Sequence, residues 1–150
     1  MFSTMKKASW ILLAILGVAI TFFSLVSAVH AYRTDDDYRV GPLRVSEVAP
    51  GDPRVATALR GIRGTSAAFG AAYGVLFLAI VLGPYRRGEV WAWKALLAAG
   101  LTQGVIVLLR IPILSTQLGV SAAVTPLVLL VIGLLLDAGR LKKPAPLHHP

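Results

Sequence analysis

Four long apolar runs, separated by short polar stretches, set the pattern of this chain. Trp10–Val29 is twenty residues without a charge, and Thr65–Gly83 is nineteen. Val90–Leu109 is twenty residues in which Lys94 is the one charge, and Ile111–Leu136 has none. A hydrocarbon core about 30 Å thick takes roughly 20 apolar residues of helix, so each run is long enough for a crossing. None carries the polar stripe of a water-soluble amphipathic helix. The pattern predicts an all-α fold, an integral membrane four-helix bundle in a single domain. Its spans are expected at about 9–31, 60–83, 90–110 and 119–137, with an outer loop of about 25 residues between helices 1 and 2. A mobile basic tail, 138–150, comes after the last span.

The connections refine this. Lys6 and Lys7 with Val29-His30-Ala31 resemble a signal peptide, but the apolar stretch far exceeds the usual 7–15 residues, so an uncleaved first helix is expected. The loop opens with Asp35-Asp36-Asp37 and alternates weakly around Gly41-Pro42, which suits either two short strands or an irregular cap. Asp52 and Pro53 read as a helix start, Asp capping and Pro in the first turn. Val55, Leu59 and Ile62 then place an amphipathic turn or two on the membrane surface, with Gly61 and Gly64 as natural bends. Pro84–Glu89 is expected as a short inner loop, and Tyr85, Trp91 and Trp93 as interfacial belt residues. Pro112 is expected to end the third helix, Ser115–Gly119 to turn, and Pro126 to lie near the start of the last span.

Composition and charge narrow the function classes. Hydrophobic residues make up 56% and mean hydropathy is +0.73. There are no cysteines, which excludes disulfides, thiol chemistry and iron–sulfur clusters. The net charge of +8 resides mainly at helix ends, where basic residues anchor to headgroups; with no basic stripe interleaved with aromatics, nucleic acid is not an expected partner. With the N-terminus inside, Lys6, Lys7, Arg86, Arg87, Lys94, Arg140, Lys142 and Lys143 are inner. Arg33, Arg39, Arg44, Arg54, Arg60, Arg63 and Arg110 are outer. The compact inner clusters favour a bacterial inner membrane protein with both termini cytoplasmic. No metal site or cofactor is expected: His148 and His149 are the only adjacent histidines, and no acid or histidine pair faces a bundle interior.

Small residues mark helix seams. Ser66, Gly70 and Gly74 are spaced by four, as are Gly100 and Gly104, which lets backbones approach closely in lipid. Intramolecular packing of helices two and three is the simpler reading, a homodimer face the other. Polar residues gather in the expected outer half: Thr21, Ser24, Tyr73, Gln103, Ser121 and Thr125. Tyr73 falls roughly 12 Å below Thr65 and Gln103 roughly 9 Å below Leu109, at 1.5 Å per residue. The inner half is nearly all aliphatic. Helix packing explains this asymmetry most simply. The functional alternative is an outer crevice in which Arg60, Arg63, Tyr73, Gln103 and Arg110 receive an anionic headgroup or small acidic ligand.

Arg86-Arg87-Gly88-Glu89 followed by Trp91-Ala92-Trp93, together with Arg60-Gly61-Ile62-Arg63-Gly64, resembles a pattern in small bacterial four-helix membrane proteins that are broadly DoxX-like. The resemblance covers about Arg60 to Leu109 and implies a four-helix bundle. Some relatives are linked to quinone-coupled oxidoreduction, but no residues here would carry that chemistry. The expected function is therefore non-catalytic: an accessory or scaffolding subunit of a larger membrane complex, or a lipid-organising bundle. Its partners would be membrane lipids and other membrane protein subunits. The alternative is a quinone- or lipid-binding protein or enzyme using the outer crevice.

Overall fold

The computed structural model describes residues 2–33, 37, 39–40, 43–48, 50–114 and 120–142. The elements run α1 (Phe2–Tyr32), β1 (Arg39–Val40), β2 (Leu43–Arg44), α2 (Val45–Val48), α3 (Pro53–Ile80), a π-helical turn (Val81–Tyr85), α4 (Val90–Leu108), α5 (Arg110–Leu114), α6 (Val120–Leu135) and a 3₁₀ turn (Ala138–Lys142). Among the described residues three helices are long and apolar enough to cross a membrane: Thr4–Tyr32, Pro53–Tyr85 and Val90–Ile113. The chain is thus a mostly helical membrane protein. Helix α6 is uncharged and mostly apolar but shorter, with 16 residues, or about 24 Å of rise. The expected Asp35-Asp36, Gly41-Pro42, Ser115–Gly119 turn and His148-His149 lie outside the described residues.

Several boundaries differ from the sequence reading, each for a local reason. Pro84 does not open a loop. It supplies no N–H to the carbonyl of Ile80, and the ladder widens so that the Arg86 N–H reaches the Val81 carbonyl five residues back. The helix therefore continues to Arg87 and ends at Gly88, whose φ of 96° is open to glycine at little cost. The Glu89 N–H then bonds the Pro84 carbonyl at 3.1 Å and the Gly88 N–H bonds that of Tyr85 at 3.0 Å, the paired bonds of a Schellman end. Pro112 likewise does not end a helix. The interruption falls at Leu109, which leaves Pro112 in the first turn of α5, where a missing N–H costs nothing. Helix α3 runs through Gly61 and Gly64 without a break in its assignment. Its start agrees with the sequence: Asp52 Oδ1 accepts the Arg54 N–H at 2.8 Å and Pro53 opens the helix.

The chain packs as two compact units, one drawn from 17–78 and the other from the described residues of 1–16 and 79–150. In the first, α1 and α3 meet along small residues. A Cβ on Gly70 would stand 2.5 Å from Ser24 Oγ, and one on Gly74 would stand 2.9 Å from the Thr21 backbone nitrogen. Gly64 faces the Tyr32 ring, and Gly17 faces Phe77 and Leu78. The α1 side is thus Gly17, Thr21, Ser24, Ala28 and Ala31; the α3 side is Arg63, Ala67, Gly70, Gly74 and Phe77. Both sets advance by four and three residues alternately, the 3.5-residue repeat of left-handed helix pairs. Ser66 lies off this line: it is exposed, and its hydroxyl donates to the Ile62 carbonyl at 2.9 Å.

In the second unit α4 packs on α6. Gly100 faces Leu130 and Gly104 faces Leu127, while Gly133 faces Leu13 of α1. Leu13, Val81, Tyr85, Ala92, Leu96, Leu130 and Leu134 form its buried centre. The two glycine seams thus face different neighbours: that of α3 meets α1, and that of α4 meets α6.

Candidate functional site

At the Tyr32 end of α1, Arg60 and Arg63 occupy the α3 seam one turn apart. The Arg60 Nη1 donates to the Arg33 carbonyl at 2.7 Å, and the Arg63 Nε donates to Ser27 Oγ at 3.2 Å. Arg33 ends α1, so its carbonyl is among those a helix terminus leaves without an intrahelical donor. Arg60 thereby caps one helix with the side chain of the other, and Arg63 pins the same pair a turn lower.

Between α1 and α3 the described residues include a short hairpin and one helical turn. Strands β1 and β2 pair antiparallel, with Arg39 opposite Arg44 and Val40 opposite Leu43. Asp37 accepts from the Ser46 N–H at 3.0 Å and from its hydroxyl at 2.8 Å, and its other contact is Arg44 at 3.8 Å. These Ser46 hydrogen bonds, aided by the charges of Arg44 and Arg60, hold the Asp37 carboxyl below its ordinary value. The buried side chain of Val45 fixes α2 beneath the hairpin.

Tyr73 is half-buried on α3, its ring 6.0 Å from that of Phe77. Gln103 and Arg110 lie on α4 and α5, both exposed, in the other unit. Arg60 and Arg63 are thus brought together within their own unit, and Gln103 and Arg110 share a face one heptad apart in theirs.

The second unit holds a buried polar group that sequence reasoning did not anticipate. Tyr85 is 0% exposed, not a belt residue. Its Oη lies 2.6 Å from Ser9 Oγ, which donates to the Gly133 carbonyl at 2.7 Å. Either hydroxyl can be the donor in the first bond. One chain of hydrogen bonds thus joins the starts and ends of three segments, α1, the π turn and α6. Asp137, 3% exposed, lies one turn beyond Gly133. Trp93 Nε1 donates to the Leu134 carbonyl at 3.0 Å, tying α4 into the same region. The signal for this buried knot was weak: a serine close behind two lysines and a tyrosine beside two arginines look interfacial in sequence.

The residues around Gly88 also have local tasks. The Arg86 guanidinium stands 4.9 Å from the Trp10 ring centre. Glu89 takes Arg87 Nη2 at 2.9 Å and the Trp91 indole N–H at 2.5 Å, and these two partners hold its carboxyl below the ordinary range. Among the described residues no three His, Cys, Asp or Glu side chains gather as a metal site would require. No family model matches the chain, and neither the curated proteins nor the solved structures compared with it give a match.

Proposed function

We propose that this protein is a non-catalytic membrane component, an accessory or scaffolding subunit of a larger membrane complex. One observation carries the reading. The polar side chains best suited to receive a ligand are engaged in holding the protein's own helices: Arg60 on the Arg33 carbonyl, Arg63 on Ser27, and Tyr85 through Ser9 on Gly133. The surface left for other molecules is chiefly apolar helix. On α1 alone, Ile11, Ile15, Val18, Phe22, Leu25 and Val29 are exposed along one face. Such a surface suits lipid tails and the helices of neighbouring subunits, and offers no group for proton or electron transfer.

In this reading α6 is the fourth crossing, extended by the 3₁₀ turn, and the protein is a four-helix bundle of broadly DoxX-like architecture. Both termini are cytoplasmic in a bacterial inner membrane, because the close basic clusters at Lys6-Lys7 and Arg86-Arg87 belong inside. Native purification in mild detergent, coupled to mass spectrometry, tests the subunit reading. The expected result is a second polypeptide at fixed stoichiometry. Recovery of the chain alone with one tightly retained quinone or lipid would overturn it in favour of a ligand-binding protein.

A further inference from the structure

Gln103 is an exposed amide in the middle of a membrane-spanning helix. Trp91 and Trp93 mark one end of the α4–α5 crossing and Arg110 the other. Gln103 is seven residues from Arg110, hence roughly 10 Å below it at 1.5 Å per residue. A glutamine side chain does not reach the headgroups from that depth, and hydrocarbon offers it nothing to bond. Hydroxyls in these helices have a local outlet: Thr21 and Thr102 donate to the Gly17 and Ala98 carbonyls, each at 2.9 Å. An amide, with two donor hydrogens and an acceptor oxygen, has no such outlet on its own helix. Among the described residues none hydrogen-bonds to the Gln103 side chain. The α6 seam at Gly100 and Gly104 is on a different side of α4.

We infer that Gln103 pairs α4 with the α4 of a second copy of this chain. An amide is its own complement, donor to acceptor and acceptor to donor. All copies insert with one orientation, so a two-fold axis along the membrane normal brings Gln103 against Gln103 at equal depth. No charge on that face within the hydrocarbon asks for an opposite charge in the partner. Ala99, one turn below, is small enough for the backbones to approach, and Ile106, 62% exposed, packs one turn above. Arg110 closes the face at the outer boundary, where water and headgroup phosphates screen two guanidiniums from each other. Self-pairing through Gln103 is independent of membership in any larger complex.

The absence of cysteine in the chain permits a clean test. Ala99→Cys and Ile106→Cys report on the Gln103 face; Leu101→Cys and Val105→Cys report on the far side of the same helix. Oxidation in native membranes should give disulfide-linked dimers from the first pair and little from the second. Adding Gln103→Leu to Ile106→Cys should lower the dimer yield roughly fivefold, the factor that one interhelical hydrogen bond is worth in lipid. Gln103→Asn, which keeps the amide, should retain most of it. Circular dichroism of each purified variant separates loss of pairing from loss of fold. Equal cross-linking around the helix, no cross-linking at Ile106, or indifference to Gln103→Leu in a folded variant would overturn the pairing. A cross-link from Ile106 to a different polypeptide would also overturn it, while leaving the subunit reading intact.

Discussion

Replacing Gly74 by alanine should separate α1 from α3. A Cβ built on Gly74 lies 2.9 Å from the Thr21 backbone nitrogen and 3.1 Å from its Cα, where ordinary contact begins near 3.4 Å. Backbone cannot swing aside as a side chain can, so the helices must move apart locally by about 0.5 Å, the difference between 3.4 and 2.9 Å. A gap of that size forfeits roughly a quarter of the contact energy of each atom pair it opens. Overpacking of this kind costs about 1–3 kcal/mol. Alanine returns about 1 kcal/mol of helix propensity over glycine, leaving a net loss of about 0–2 kcal/mol. Gly61→Ala on the same helix is the control, because a Cβ there meets nothing within 4 Å. It gains the same propensity without the clash. Equilibrium unfolding of both variants in one detergent, monitored by circular dichroism, isolates the steric part as the difference between them. Equal stability of the two would show that the seam between α1 and α3 is not formed as described.

The buried knot can be tested in the same unfolding assay. Ser9→Ala removes the bonds to both Tyr85 Oη and the Gly133 carbonyl and should cost about 1–3 kcal/mol; wild-type stability of that variant would refute the knot. Asp37 is held below its ordinary value of 3.8, so its contribution is complete above that value and is lost as pH falls through the lowered one. The protection factor of the Ser46 amide, its exchange rate relative to the intrinsic rate at the same pH, should therefore fall on acidification below about pH 4, and Asp37→Asn should remove that dependence. Single cysteines at Ser3, Ser46 and Pro146 should react with an impermeant reagent in intact cells at position 46 alone; labelling of 3 and 146 but not 46 would reverse the topology.

The three long apolar helices were legible because hydrocarbon thickness imposes a length that a run of mostly uncharged residues must meet. The start of α3 was legible too, since Asp52 caps through a bond two residues long. The features that escaped were set by distant residues. Gly70 and Gly74 announce close approach, but their neighbour is decided by Thr21 and Ser24, about fifty residues away in the chain and small enough to accept them. The four-residue spacing drew in Ser66, while the 3.5-residue repeat of the actual seam runs through Ala67 and Arg63 instead. Tyr85 has the sequence surroundings of an interfacial aromatic, yet it is a core residue bonded to Ser9, 76 residues earlier. Arg60 and Arg63 looked like a convergent pair for one phosphate. Their acceptors, the Arg33 carbonyl and Ser27, exist only once α1 and α3 are side by side.

The π turn at Val81–Tyr85 has a consequence for how this gene can change. A π turn is an α-helix that has absorbed one extra residue, and each residue rotates the downstream chain by about 100°. Loss of a single codon anywhere in 81–85 would restore ordinary helical phase without breaking the helix. The hydrophobic length would hardly alter, and a hydropathy profile would register almost nothing. Everything after the deletion would nonetheless turn about the helix axis by more than a quarter of a circle, re-aiming the Gly88 bend that launches α4. In this segment an insertion or deletion is a change of angle rather than of length, and descendants of the chain should preserve its residue count more strictly than its residue types.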